Sequence, residues 1–178
     1  MTVMNLPPPS IGVRWFVILF PLIVVAFLTV MFIGQFGDKP MSLIGLLLIS
    51  AFIVALDAVI FIPVYRRRAI ELDEHGCTIK AAWYSHHLSW QTIDWSNSGI
   101  MTEAQQRDKA PKWRTNGIGV PGYGAGWFSL IDKRSAFLAL TDKAAPRLLL
   151  ATPQLDIIVS TLNPHHDWQQ IQSAAQRG

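Results

Sequence analysis

The chain contains a single cysteine, Cys77, in 178 residues. One thiol excludes an intrachain disulfide framework and a multi-cysteine metal site. In a strand-like run such a cysteine reads as a small buried hydrophobe rather than a nucleophile. Charge is scarce in one part of the chain: from Trp15 to Val64 the only charged residues are Asp38, Lys39 and Asp57. Catalytic signatures are lacking too, with no G-x-S-x-G, no H-E-x-x-H and no phosphate-loop pattern. The sequence therefore predicts no enzyme, no cofactor and no metal. A net charge of +3 is too weak to argue for nucleic acid as a partner, but it suits an anionic membrane surface.

What is present first is two long apolar runs. Residues Trp15–Gly34 carry no charge, and Ser42–Val64 carry one, Asp57. A helix needs roughly 20 apolar residues to cross a hydrocarbon core ~30 Å thick, so both can span. The first run is longer than the roughly 7–15 apolar residues of a cleaved signal, and no small-x-small site follows it. It reads as a retained helix. Pro21 is tolerable there because neighbouring groups can satisfy the freed carbonyl.

The connection between the runs is short, which predicts an antiparallel hairpin. Arg66, Arg67 and Arg68 follow the second run, Arg14 precedes the first, and the connection offers only Lys39. The positive-inside rule then puts both termini in the cytoplasm, with the four arginines at the membrane interface. The expected organisation is a tail over 1–14, a hairpin over 15–64 with helices near 15–34 and 42–64, and a cytoplasmic domain over 65–178. Asp57 is the one ionisable residue within a span. It reads as paired with Arg14 or hydrated at the interface. The alternative is a transport assembly of several hairpins with Asp57 in its pathway.

Beyond the arginines the pattern shortens. Ala69–Leu72 and Cys77–Ala81 flank the turn residues Asp73, Glu74, His75 and Gly76, a hairpin signal. Trp83–Leu88 and Trp90–Trp95 continue as strand-like runs, and Thr102–Arg114 is a polar loop. Gly126–Ile131, Ala136–Thr141, Arg147–Ala151 and Leu155–Thr161 are further short apolar runs with turn-sized spacers, the pattern of an antiparallel sandwich or barrel. Asn163 and Pro164 mark a helix start, and Trp168, Ile171 and Ala175 form an apolar stripe.

Arg114–Phe128 reads RTNGIGVPGYGAGWF. Gly117, Gly119 and Gly122 match G-x-G-x-x-G, but a dinucleotide fingerprint needs a strand before it and a helix after it. Here a polar loop precedes and a strand-like run follows, so the glycines read as devices for turns and bulges. Arg114 and Asn116 are expected to tie the loop to the sheet. The stretch resembles the signature of bacterial pleckstrin-homology-like domains. Arg114, Thr115, Asn116 and Gly117 carry the resemblance first. Pro121, Gly122 and Tyr123 follow, then Gly126, Trp127 and Phe128. Thr141-Asp142, Arg147–Ala151 and the closing Asn163-Pro164 to Trp168 extend it over about residues 65–175.

The resemblance implies an α+β domain of about seven antiparallel strands in a bent sheet or partly open barrel, capped by a C-terminal helix. It also implies a bacterial inner-membrane protein. Phosphoinositide-binding relatives carry basic residues around the first hairpin, whereas the turn here holds Asp73 and Glu74, which argues against that site.

Two clusters remain. His86 and His87 point to opposite faces of a strand, and His165, His166 and Asp167 read as surface residues of a first helical turn. Arg107, Lys109, Lys112 and Arg114, with Asp108 and Trp113 among them, read as a solvated basic loop able to touch anionic lipid. The expected function is a non-catalytic scaffold or regulatory module. It would bind membrane lipid or a protein partner at the cytoplasmic surface, by strand addition to a sheet edge, and a homo-oligomer is compatible with it.

Overall fold

The computed structural model describes residues 2–35 and 43–178. Two helices, α1 (Ile11–Gln35) and α2 (Leu43–Arg66), lie side by side. Their apolar windows, Ile11–Met31 and Leu47–Arg66, have mean hydropathies of 2.5 and 2.6. Both are long and apolar enough to cross a membrane. Only 11% and 6% of those windows are buried in the protein, whereas the core helix of a soluble domain would hide its apolar face. The connection carrying Asp38 and Lys39 lies outside the described residues.

The N-terminal segment is more than a tail. Thr2–Asn5 forms strand β1, and α1 begins at Ile11 rather than Trp15. β1 pairs antiparallel with β2 (Arg68–Leu72), the strand that leaves α2, in the register Thr2↔Leu72 to Asn5↔Ala69. The helix pair therefore emerges from one sheet. β3 (Gly76–Ala81) and β4 (Tyr84–Ser89) complete it in the order β1-β2-β3-β4. Ile70, Leu72, Cys77, Ile79 and Ala81 alternate inward, the period of two expected of a half-buried sheet. The β2–β3 turn is closed by the Asp73 carboxylate, which accepts from the His75 and Gly76 N–H groups at 2.8 and 2.9 Å.

Three segments depart from the sequence reading. Trp90–Thr92 is one 3₁₀ turn, not a strand. Its aromatic ring packs rather than alternates: Trp90, Trp95 and Trp168 stand in a row with centroid separations of 6.3 and 5.9 Å. The polar stretch after Thr102 is not a loop. It folds into α3 (Glu103–Asp108), closed by a capping box between Thr102 and Gln105, a T-x-x-Q pattern legible in the sequence. It then continues into strand β6 (Pro111–Val120), after the two-residue β5 (Gly99–Ile100).

The second sheet holds β7 (Tyr123–Leu130), β8 (Ser135–Leu140), β9 (Arg147–Ala151) and β10 (Asp156–Ser160), in the order β5-β9-β10-β8-β7-β6. The expectation of antiparallel pairing throughout fails at one place: β10 runs parallel to β8, from Asp156↔Ala136 to Val159↔Ala139. β9 and β10 form an antiparallel hairpin, and β10 fills the gap between β8 and β9. The spacer Thr141–Pro146 is therefore a bridge over the end of β10, not a hairpin turn.

The central strands of sheet two, β8, β9 and β10, are buried on both faces. Phe137, Ala139, Leu148, Leu150, Ile157 and Val159 join the first sheet in the main core, with Val13, Phe61 and Val64 of the helices. The alternate residues, among them Phe128, Leu138, Leu140, Leu149 and Ile158, form a second cluster on the opposite face. The C-terminal helix α4 (Pro164–Ala175) buries Ile171 and Ala174. Asn163 makes no side-chain cap; Thr161 Oγ1 instead bonds Asp167 and accepts from the Asn163 N–H at 3.2 Å.

A basic groove beside the helix ends

The glycine-rich stretch is a hairpin. β6 and β7 pair from Pro111↔Leu130 to Val120↔Tyr123, with shifts in register between Pro111 and Trp113 and between Arg114 and Asn116. Gly117 and Gly126 face each other in this ladder. A Cβ on Gly126 would stand 2.5 Å from Asn116 O, and its φ of +106° is one that only glycine adopts readily. Gly122, with φ +85°, makes the Pro121–Gly122 turn. Gly117 and Gly126 thus permit the close approach of β6 and β7, and Gly122 the turn between them. Arg114 and Asn116 do not tie a loop to the sheet: both are exposed, on an edge strand, and neither side chain makes a hydrogen bond among the described residues.

Beside this hairpin lies a groove of about 1100 Å³ on the second-cluster face, large for a ligand site. Its apolar floor includes Gly124, Phe128 and Leu140. Trp113 stands on the wall, 69% exposed. Five cations line it: Arg107 from α3, Lys112 and Arg114 from β6, Lys143 from the bridge over β10 and Arg147 from the start of β9. They face two carboxylates, Glu103 and Asp142. Arg147 Nη2 donates to Lys143 O at 3.3 Å, while its Nε is buried without a partner. Burial pulls the Arg147 guanidinium below its ordinary pKa, with no carboxylate countering it.

One end of the groove meets the start of α1. Ser10 N donates to Thr141 O at 3.1 Å, next to Asp142 and Lys143. A Cβ on Gly122 would lie 3.5 Å from Ser10 Oγ and 3.9 Å from Val13. Buried Tyr123, whose phenol is pushed up by burial against the pull of Arg68, lines the same end. A second seat is made by the β3–β4 turn, where the exposed Trp83 donates its indole N–H to Ile60 O of α2 at 3.2 Å. The domain is thus held to both helices, with the groove opening beside α1.

Of the basic residues noted in sequence, Arg107, Lys112 and Arg114 reach the groove and Lys109 does not. Lys109 bonds Asp156 at 2.5 Å and Asp132 at 3.1 Å. Arg14 donates Nε to Pro9 O. Arg66 and Arg67 are exposed, whereas Arg68 turns inward, donating to Tyr65 O at 2.8 Å and Leu6 O at 3.4 Å. Asp57 and Arg14 form no salt bridge among the described residues, although both lie within electrostatic range of Tyr65. Lys143 and Arg147 carry no local signal of a site, because Lys143 lies in what reads as a turn and Arg147 opens the strand-like run after it.

The histidines diverge. His86 stacks on Phe137 at 5.5 Å, while His87 Nδ1 meets Thr78 Oγ1 at 3.1 Å on the other face. No group of three or more metal-ligating side chains exists among the described residues. Burial, then the neighbouring His87, holds His86 below the ordinary histidine range. A depressed folded value means that protonation favours the unfolded chain, so its effect is absent above the ordinary histidine range and destabilises as pH falls below it. His86→Phe is expected to flatten that limb of a stability–pH curve. Cys77 is fully buried, its thiol pushed up to about 12 by burial and by Asp73. It should resist maleimide in the folded chain and react on unfolding, as thiol titration with and without denaturant would show.

No protein-family model, curated protein or solved structure matches the chain.

Proposed function

We propose that the chain is a non-catalytic recognition module, tethered to the cytoplasmic face of a bacterial inner membrane by α1 and α2. The soluble part is read as pleckstrin-homology-like. Antiparallel sheets with a C-terminal helix and the Arg114–Phe128 motif support that reading, while the parallel β8–β10 pair departs from the simple barrel. The observation that carries the function is the placement of the groove: apolar floor, basic lining, and one end against the first turn of α1.

Strand addition to β6 is less well supported. Pro111, Lys112, Arg114 and two irregularities of register occupy the first half of that edge, the devices that blunt edge pairing. The groove is the better recognition surface.

The test is a photo-crosslinking residue at Trp113, compared with one at the exposed Glu74 of the remote β2–β3 turn. In cells, an adduct of defined mass at 113 and none at 74 supports the reading; equal labelling at both sites removes it. Asp57→Asn is expected to leave the adduct at 113 unchanged. Its loss would favour the transport-assembly reading instead.

A further inference from the structure

We propose that the groove binds the phosphate-bearing headgroup of an anionic phospholipid that enters from the surrounding bilayer. This rests on the reading of the groove as a recognition site, and it names the occupant. Three observations converge. Five cations against two carboxylates leave the lining net positive, which suits a phosphodiester. Arg147 lines the groove with no carboxylate partner among the described residues, its Nη2 donating to Lys143 O at 3.3 Å. Its guanidinium fork suits phosphate oxygens.

Position decides between a lipid and a soluble anion. Lys143 lies two residues beyond Thr141, whose carbonyl accepts from Ser10 N just before α1. Gly122 stands against Ser10 and Val13. Trp83, at the second seat, bonds α2 one and a half turns before its end, at Ile60. An indole fixed there sits at headgroup level, where tryptophan is favoured. Both seats hold the domain flush with the bilayer surface, so the Lys143–Arg147 end of the groove opens into the headgroup layer. Gly124, Phe128 and Leu140 give the groove apolar surface beside that end, where Gly124 pairs with Leu140 next to Thr141. A small soluble anion has no use for that floor, whereas the glycerol and first acyl carbons of a lipid do.

The experiment uses the full chain in mild detergent, titrated with phosphatidylglycerol or with phosphatidylcholine of the same acyl chains. Native mass spectrometry counts the bound lipid. Phosphatidylglycerol should be retained at least about tenfold more tightly, given about fivefold per basic side chain near the headgroup. Lys143→Ala should lose about fivefold and Lys143→Ala with Arg147→Met about 25-fold. Gly124→Leu should weaken retention too, by filling the floor: the Gly124 Cβ position has only side-chain neighbours, at 3.8–3.9 Å. Resistance of Cys77 to maleimide certifies that each variant is folded. Millimolar inorganic phosphate or glycerol 3-phosphate should not displace the lipid.

Equal retention of both lipids, or groove variants that retain phosphatidylglycerol as well as the parent, would overturn the proposal. Displacement by phosphate alone would overturn it in favour of a soluble ligand. If a groove-dependent protein adduct forms at position 113 without lipid selectivity, the lipid assignment fails and the recognition site survives. If position 113 captures nothing specific either, both fail.

Discussion

Lys109→Met is expected to destabilise the folded domain by about 3 kcal/mol at neutral pH, near the low end of what removing one partner of a buried pair costs. Asp156 is the reason. It is 1% exposed, on the central strand β10, and Lys109 lies 2.5 Å from its Oδ2. Arg134 Nη2 stands 3.1 Å from Oδ1, but that nitrogen is also committed to Thr152 O at 2.6 Å, and Oδ1 has no aligned hydrogen bond. Without Lys109 the buried carboxylate keeps only this poor partner. Asp156→Asn removes the charge as well and should cost less, about 1–2 kcal/mol. Lys109→Met combined with Asp156→Leu should recover much of the loss, because neither charge is left unpaired. Chemical denaturation of the full chain in detergent reads all three. A Lys109→Met effect no larger than that of Asp156→Asn would remove the explanation.

The same network sets a pH window. Burial works against the Lys109 charge, but hydrogen bonds to Asp156 and Asp132 outweigh it and raise its pKa. That stabilisation is full below the ordinary lysine range and is lost as pH rises through the folded value. Asp132 is lowered: burial opposes its charge, and the Arg134 N–H and Lys109 prevail. Its contribution is full above the ordinary aspartate range and is lost as pH falls through the folded value. In Lys109→Met the alkaline decline should disappear and the acid one shrink.

The second large effect is at Gly126. Gly126→Ala is expected to cost about 3 kcal/mol or more, from an unfavourable φ of +106° and a Cβ 2.5 Å from Asn116 O and 2.7 Å from Gly117 Cα. The obstacle is the backbone of the neighbouring strand, which cannot swing aside like a side chain. Gly119→Ala, two register steps away, meets only the Phe128 ring at 3.5 and 3.6 Å and should be nearly neutral. Equal effects at the two positions would show that the cost does not depend on the local approach of the strands, and the close-approach account would fall. The outcome bears on function because the β6–β7 hairpin forms one wall of the groove.

Local signals of this chain were legible where local physics decided them. The apolar runs, the Asp73–Gly76 turn, the short strands after Gly126 and the proline-initiated final helix follow from hydropathy, turn chemistry and capping. The T-x-x-Q capping box before α3 was equally readable but was masked by its polar surroundings. Trp90–Trp95 misled because aromatic runs suit strands and core rows alike, and only the approach of Trp168 on α4 distinguishes them.

What the sequence by itself determined is therefore the two long apolar helices, the sheet-rich remainder with its closing helix, and the glycines that let β6 and β7 approach. What only the tertiary structure decided is which distant segments meet. β1 pairs with β2 across both long helices. Insertion of β10 between β8 and β9 turns a spacer into a bridge and carries Lys143 and Arg147 to the same groove as Arg107 and Arg114. A strand's alternation specifies which face is buried but not which neighbour it takes. That choice depends on packing across the whole sheet, so no local stretch of this sequence encodes the groove.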